Sequence, residues 1–431
     1  MSHDGGITSA AINRTLMLVV LIGIAHVAVR RLAPNADPLI LPIVALLNGL
    51  GLAVIGRLDL AVADRASAFG TKAPTGYASL QLVWTAIGVG GFVVVLLVIR
   101  DHRILSRYGY TAAFAGLVLL LIPSVLPASI SEVNGARVWI RVSGFSIQPG
   151  EFAKIALLIF FSTYLVQKRD VLALVSRSFM GIAMPRWRDL GPVVVAWLVS
   201  LAVLVVERDL GSSLLFFGIF ITLLYVATER TSWVAIGMVL FTAGAFFAYT
   251  SFGHVRSRFD IWLHPFAFPL GSGYQLVQGL FGFATGGVLG TGLGRGQPDI
   301  VPFARTDFIV AAIGEELGLV GLLAVLAAFL LLVARGLRAS LTVRDPFGRL
   351  VACGLAVSLA LQVFVVVGGV MRVIPLTGLT LPFLSYGGSS LVANYALVAL
   401  LLRISHAARS EAIAEASVRA AADAQVESRL R

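Results

Sequence analysis

The sequence predicts an all-α protein, a polytopic integral membrane helical bundle, and three observations predict it. Hydrophobic residues make up 58% of the 431-residue chain and charged residues only 13%, with a mean hydropathy of +0.92; a soluble surface of that size needs far more charge. Uncharged runs such as Ala73–Ile99, Leu350–Met371 and Val373–Leu402 each exceed the roughly 20 residues that carry a helix across a bilayer. The basic residues lie in short segments between such runs, where they set orientation. A soluble enzyme and a DNA-binding protein are thereby excluded. The net charge of +11 reads as topology, and no nucleic-acid partner is expected.

The elements follow from apolar length and from Arg, Pro and Gly boundaries. The first span, 11–29, ends at Arg30-Arg31 with no basic start before it and no small-residue cleavage site after it, so it reads as an anchor helix. Spans at 38–56, 79–99 and 110–129 follow. The fifth, 150–167, opens after Pro149, a residue suited to a first helical turn. Spans 190–206 and 210–228 form a hairpin about Glu207-Arg208-Asp209, and 232–250 follows Glu229-Arg230. The last three are 309–334, 350–371 and 385–403, which makes eleven helices. With the C-terminus in the cytoplasm, alternation places 20 Lys and Arg in inner segments and 12 outside, with Lys154 inside a span. That asymmetry satisfies the positive-inside rule and puts the N-terminus outside.

Segment 251–308 is long for a connection between spans, and such loops carry function. Its stretch Gln275–Gly294 has seven glycines and no charge. A twelfth crossing there would place the nine Arg of 335–349 and 403–431 outside, so a re-entrant or surface-lying element is expected, buried in protein or lining a wet cavity. The tail Ser410–Arg431 reads as a short, solvated Ala/Glu/Arg helix. Cys353 is the single cysteine, which excludes a disulfide framework, a zinc constellation and a thiol motif.

Charges within or beside apolar runs are costly unless paired or wetted, and therefore informative. Glu151 and Lys154 share a helix face at i, i+3 near Arg137 and Arg141; a structural ion pair and an anion site opening on an outer cavity are both open readings. Glu207-Arg208-Asp209 reads equally as a solvated turn. Glu315 and Glu316 are adjacent on a helix and face different directions, so pairing with Arg is expected over a shared acid/base site. Asp307, just before a span, reads from position as a helix cap, with a general base at a cavity mouth as the alternative. His254 and His264 have no carboxylate or Cys at metal-ligand spacing. The Gly-x-Gly pattern of 290–296 follows no strand and is no nucleotide loop. Ser385-Tyr386-Gly387-Gly388-Ser389-Ser390 reads first as close helix packing and second as hydroxyl contacts to a ligand.

Taken in order, Asn134-Gly135-Ala136-Arg137, Trp139-Ile140, Phe145-Ser146-Ile147-Gln148-Pro149 with Glu151 and Lys154, Asp209-Leu210-Gly211, and Gly273-Tyr274-Gln275-Leu276-Val277-Gln278 form a recognisable set. It continues through Thr306-Asp307-Phe308-Ile309, Gly314-Glu315-Glu316-Leu317-Gly318, Pro375-Leu376-Thr377-Gly378-Leu379 and Pro382 with Ser385–Ser390. With these motifs the chain resembles the SEDS proteins, the RodA/FtsW group of peptidoglycan polymerases, and more the RodA branch than the FtsW branch. The resemblance runs from about 38 to 405. It implies a ten-helix core over 38–405 that includes loop 251–308, an extra N-terminal transmembrane helix within 1–37, and a cytoplasmic tail, 406–431.

It further implies a peptidoglycan glycosyltransferase of the bacterial cytoplasmic membrane, serving cell elongation, shape and division. Such an enzyme polymerises lipid II, a disaccharide-peptide on undecaprenyl diphosphate, at the outer face, with a class B penicillin-binding protein as cross-linking partner. The family's essential Asp falls on Asp307, which outweighs the cap reading. Lys154, Arg137, Arg141, Glu151, Gln275, Gln278, Ser385 and Ser389 are the implied substrate contacts. No cofactor is certain, and a divalent cation, Mg or Mn, is the one candidate. The chain departs from the family pattern at Val138, where many members have Arg, and at His264-Pro265-Phe266-Ala267-Phe268-Pro269, which lacks both usual carboxylates. Gln297-Pro298 and Val301-Pro302-Phe303 depart similarly. The chemistry suits one inverting displacement, with Asp307 as general base and cations on the departing diphosphate. The rival from another class is a lipid-linked precursor flippase or other transporter, since intramembrane charge and broken helices also mark transport sites.

Overall fold

The computed structural model describes residues 9–71, 76–133, 136–142, 145–173, 177–179, 182–184 and 191–430. Asn134-Gly135 of the motif set lies outside them. The first helices are α1 (Ser9–Leu32), α2 (Ile40–Ala68), α3 (Tyr77–Val98) and α4 (Gly109–Val125), the last extending a 3-10 turn, His102–Tyr108. After a single turn, α5 (Ala128–Ser131), come α6 (Pro149–Ala173), α7 (Gly191–Glu207), α8 (Leu210–Thr228) and α9 (Thr231–Ser251). Two short helices, α10 (Gly253–Leu263) and α11 (Tyr274–Gly286), precede α12 (Ile309–Thr342), α13 (Pro346–Val370) and α14 (Gly388–Leu430).

Ten of these are long and apolar enough to cross a membrane. The expected span at 190–206 is α7, whose 17 residues contain no charge before Glu207. Among the described residues, sheet is confined to three two-stranded hairpins: β1 (Glu132–Val133) with β2 (Ala136–Arg137), β3 (Ile140–Val142) with β4 (Phe145–Ile147), and β5 (Arg177–Phe179) with β6 (Ile182–Met184). The first two cover the approach to α6.

α13, α14, α2 and α12 form the centre of the bundle, where Phe92, Phe383 and Tyr395 meet edge to face. A buried polar cluster sits beside them: Asn48 donates to the Tyr395 hydroxyl at 2.8 Å and to Thr85 at 3.3 Å. α1 lies outside, packed on α3 and α2 along one face, its remaining apolar side chains exposed as a lipid-facing helix requires. Away from segment 251–308, buried Arg403 of α14 donates to the carbonyls of Leu32 and Leu96, closing the ends of α1 and α3.

Besides α14, which runs unbroken from the last span through the tail to Leu430, two elements differ from the sequence expectation. α2 continues past Arg57 to Ala68, because polarity marks where a helix leaves an apolar layer and not where its backbone stops. The other is α12, which is broken at Gly318 (φ 67°, ψ −169°), a conformation that only glycine adopts without strain. The break orphans backbone groups on both sides, and the loop after α11 satisfies them. The amides of Thr291 and Gly292 donate to Glu315 O and Glu316 O, while those of Leu319 and Val320 donate to Gly287 O and Val288 O, all at 3.0–3.1 Å. Gln275–Gly294 therefore enters beside the first turns of α12, turns at Gly286–Gly290 and returns to the end it came from. It is a hairpin packed on α12, a form that suits a re-entrant element.

Candidate functional site

Asp307 sits in the last turn before α12, half-buried. The helix N-cap is Phe308, with no side-chain cap bond, so the cap role is not the one the structure displays. Instead the Asp307 carboxylate accepts from the Thr306 hydroxyl at 2.9 Å and lies 3.4 Å from Gln275 Nε2 on α11. Burial pushes its carboxyl above the usual carboxylate range, against the opposing pull of Thr306, Gln275 and the nearby Arg258 guanidinium. A carboxylate raised in this way is a stronger base once ionised.

The turn is over-determined by its surroundings. The Ser385 hydroxyl donates to Thr306 O and accepts from Leu381 N, and Tyr386 N donates to Arg305 O at 2.7 Å. Three of the non-glycine residues with positive φ flank this place, Phe303 (58°), Arg372 (61°) and Phe383 (65°), and such strain is held at sites that need fixed geometry. Arg258 of α10 donates to Leu376 O and Thr377 O, both at 2.9 Å, which ties the α13–α14 connector beside the carboxylate. The extension of α2 contributes from the other side. Asp59 lies 3.7 Å from Arg305, which stacks 4.5 Å above the Tyr77 ring, while Arg65 pairs with Asp299 at 2.9 Å.

Two cavities adjoin this centre. One, of about 430 Å³, is lined by Tyr77, Asp299, Pro302, Arg305, Thr306 and Tyr386. The other, of about 510 Å³ and almost wholly apolar, lies among α8, α9, α10 and α13, walled by Leu214, Phe217, Phe241, Phe259 and Trp262, with Thr377 at its edge. Arg258 stands between Asp307 and that edge.

The other sequence candidates divide. Gln275 joins Asp307, and Ser385 and Ser389 act as ties, Ser389 accepting from Gln148 N at 2.9 Å. Gln278 lines a separate cavity. Arg137 pairs with Glu132 across β1–β2 at 3.2 Å, and Arg141 is exposed on β3. Lys154 does not face open space. Its Nζ lies 2.9 Å from Glu151 and 2.8 Å from Gln362 Oε1, and both charges are buried. The space beside them is only about 10 Å³, so in this structure Lys154 and Glu151 form a buried ion pair, the first of the two readings the sequence left open. Gln362 passes the pair onward, donating to Thr380 O at 2.9 Å, one residue from the Leu381 amide that Ser385 holds.

Glu316 finds the Arg expected of it, Arg57 at 3.2 Å, whereas Glu315 is held by the Gln297 amide at 2.6 Å. Asp209 caps α8. Arg258 and Gln362 escaped the sequence reading, and no local signal marks either, since each acts on backbone carbonyls distant in sequence. Among the described residues no group of three His, Cys, Asp or Glu could hold a metal ion. No step is assigned to a divalent cation.

A family model described as a cell cycle protein of the FtsW, RodA and SpoVE group matches residues 38–410. The chain belongs to this family. Its match begins after α1 and runs from α2 into α14. The chain is 54% identical over 408 residues to the peptidoglycan glycosyltransferase RodA of Mycobacterium tuberculosis strain H37Rv, covering 95% of this chain and 86% of that protein. It is 36% identical over 328 residues to the probable peptidoglycan glycosyltransferase FtsW of Geobacter metallireducens, covering 75% and 84%. Within the family it is thus closer to RodA. A solved structure concerned with coordination of polymerization and crosslinking by a peptidoglycan synthase complex matches with TM-score 0.63 and 27% identity, over 84% of this chain and 97% of that one. The RodA fold is seen again in a mutant of Thermus thermophilus RodA, TM-score 0.58 and 24% identity, over 86% and 97%.

Proposed function

We infer that this protein is a multi-pass membrane peptidoglycan glycosyltransferase, and we propose that it polymerises lipid II at the outer face of the cytoplasmic membrane. The observation that carries the mechanism is the position of Asp307: a raised carboxyl fixed by Gln275 and by Thr306, which lines a polar cavity, with the Arg258 guanidinium nearby.

The acceptor sugar hydroxyl loses its proton to Asp307 as its oxygen attacks the donor anomeric carbon. The bond to the lipid-linked diphosphate breaks on the opposite face, and the α-linked donor becomes a β-linked product without a covalent enzyme intermediate. Arg258, with two fixed carbonyl contacts, and Arg305, stacked on Tyr77, are the cations placed to meet developing diphosphate charge. The apolar cavity suits part of an isoprenoid chain entering between helices. Lys154 and Glu151 act at a distance, through Gln362 and the α13–α14 connector. A class B penicillin-binding protein is the proposed cross-linking partner.

Reconstitution of the purified protein with lipid II, with and without that partner, is the test. Glycan polymer that disappears in Asp307→Asn supports the reading. Movement of lipid II between leaflets without polymer would favour a transporter instead and overturn it.

A further inference from the structure

A second polar cavity, of about 270 Å³, opens between α11 and the returning segment 291–301. We propose that it is a saccharide subsite that holds a sugar unit of the growing glycan strand beyond the reacting end; the identity of the strand rests on the polymerase reading.

The lining argues for the ligand class. Gln278, Thr285, Thr291, Arg295, Gln297 and Glu315 present amides, hydroxyls, one guanidinium and one carboxylate, with Phe281 and Ile300 as apolar wall. Hydroxyls and acetamido groups of sugars are neutral donors and acceptors, and planar polar side chains with an apolar face match them. A carboxylate in the wall repels a diphosphate, and the polarity excludes an isoprenoid chain. The volume lies just under the ~300 Å³ of small ligand pockets, a size for one sugar unit and not for a strand.

The site is built. Glu315 is buried and held by the Gln297 amide at 2.6 Å. A Cβ at Gly296 would stand 2.9 Å from its Oε1, and one at Gly282 would stand 3.3 Å from its Oε2, so both glycines make room for the carboxylate. Its neighbour Glu316 is engaged elsewhere, with Arg57 at 3.2 Å and Gly294 N at 3.1 Å. The cavity lies beside the reaction centre. Gln278 lies one turn along α11 from Gln275, which reaches Asp307, and Val301 lines both this cavity and the one beside Arg305.

The test measures binding of a fluorescent, uncrosslinked glycan oligomer to the purified full chain by anisotropy, apart from polymer formation. The wild type binds, and Arg295→Ala, at an exposed residue, weakens binding roughly three- to tenfold, as loss of one or two hydrogen bonds does. Gln278→Trp, which fills the cavity, abolishes binding, and Thr285→Trp on the exposed rim does the same should the first fail to fold. An oligomer that fails to bind the wild type, or binds all three cavity variants unchanged, overturns the subsite. Intact, cavity-dependent binding in a wild type that makes no polymer keeps the saccharide site and removes the polymerase reading.

Discussion

Asp307 carries opposite consequences for stability and for rate. Its carboxyl titrates above the ordinary range in the folded state because burial disfavours the charge, so folding is penalised as pH rises through the ordinary carboxylate value and fully penalised above the raised one. Asp307→Asn removes that penalty, and thermal unfolding in detergent at neutral pH should show a variant at least as stable as the wild type. Polymerisation should fall by ~10²–10⁴, the contribution of a positioned general base. The wild-type rate should fail on acidification at a higher pH than an unperturbed carboxylate would dictate, and a rate flat through the acid range would remove Asp307 as the base. The closed pair behaves differently. Lys154→Met alone strands buried Glu151 and costs about 3–5 kcal/mol, whereas Lys154→Met with Glu151→Gln should regain most of that stability. The double variant should still polymerise poorly, because Gln362 has lost its ammonium donor and the connector its tether; full activity would show that the pair does nothing beyond holding α6. Of these residues the sequence exposed Asp307, Glu151 and Lys154 as charges beside apolar runs. It hid Arg258, whose partners are the carbonyls of Leu376 and Thr377, because a backbone acceptor has no side-chain letter to read.

Among elements, hydropathy located the spans well and their ends poorly. It stopped a helix at Arg57, whereas α2 runs on and delivers Arg57, Asp59 and Arg65 to the loop that holds Asp307. It also passed smoothly over Gly318, since Leu317-Gly318-Leu319 in an apolar run averages like an unbroken helix. The break was nevertheless implied by its complement, the seven glycines of Gln275–Gly294, whose backbone had to find partners somewhere buried. Gly318→Ala tests that dependence. The residue needs positive φ, and a Cβ there would collide with Gly290 N and stand 2.6 Å from Val288 O. Strain and displaced hydrogen bonds together should cost at least ~3 kcal/mol, seen as a lowered unfolding temperature and as new proteolytic cleavage within 286–296. An unaffected protein would mean that the hairpin and α12 are not locked together as described.

At the scale of the whole molecule, the site is built at the end of the bundle that gathers α10, α11, the start of α12 and the α13–α14 connector, and its chemistry requires that end to face outward. The structure holds the geometry but no bilayer, so orientation rests on the excess of Lys and Arg in the opposite segments. Single cysteines in a Cys353→Ala background settle it, since Cys353 is buried and its removal leaves no other thiol. Ser257 and Arg295 are exposed on either side of the re-entrant hairpin, and Leu341 is exposed near the far end of α12. An impermeant thiol reagent on intact cells should label cysteines at 257 and 295 and spare the one at 341. Labelling at 257 and 341 but not at 295 would make the hairpin a true crossing, place Asp307 on the cytoplasmic side and separate it from externally presented lipid II. The general-base assignment would then fall even though membership of the family stood, because fold alone does not put a carboxylate on the same side of a membrane as its substrate.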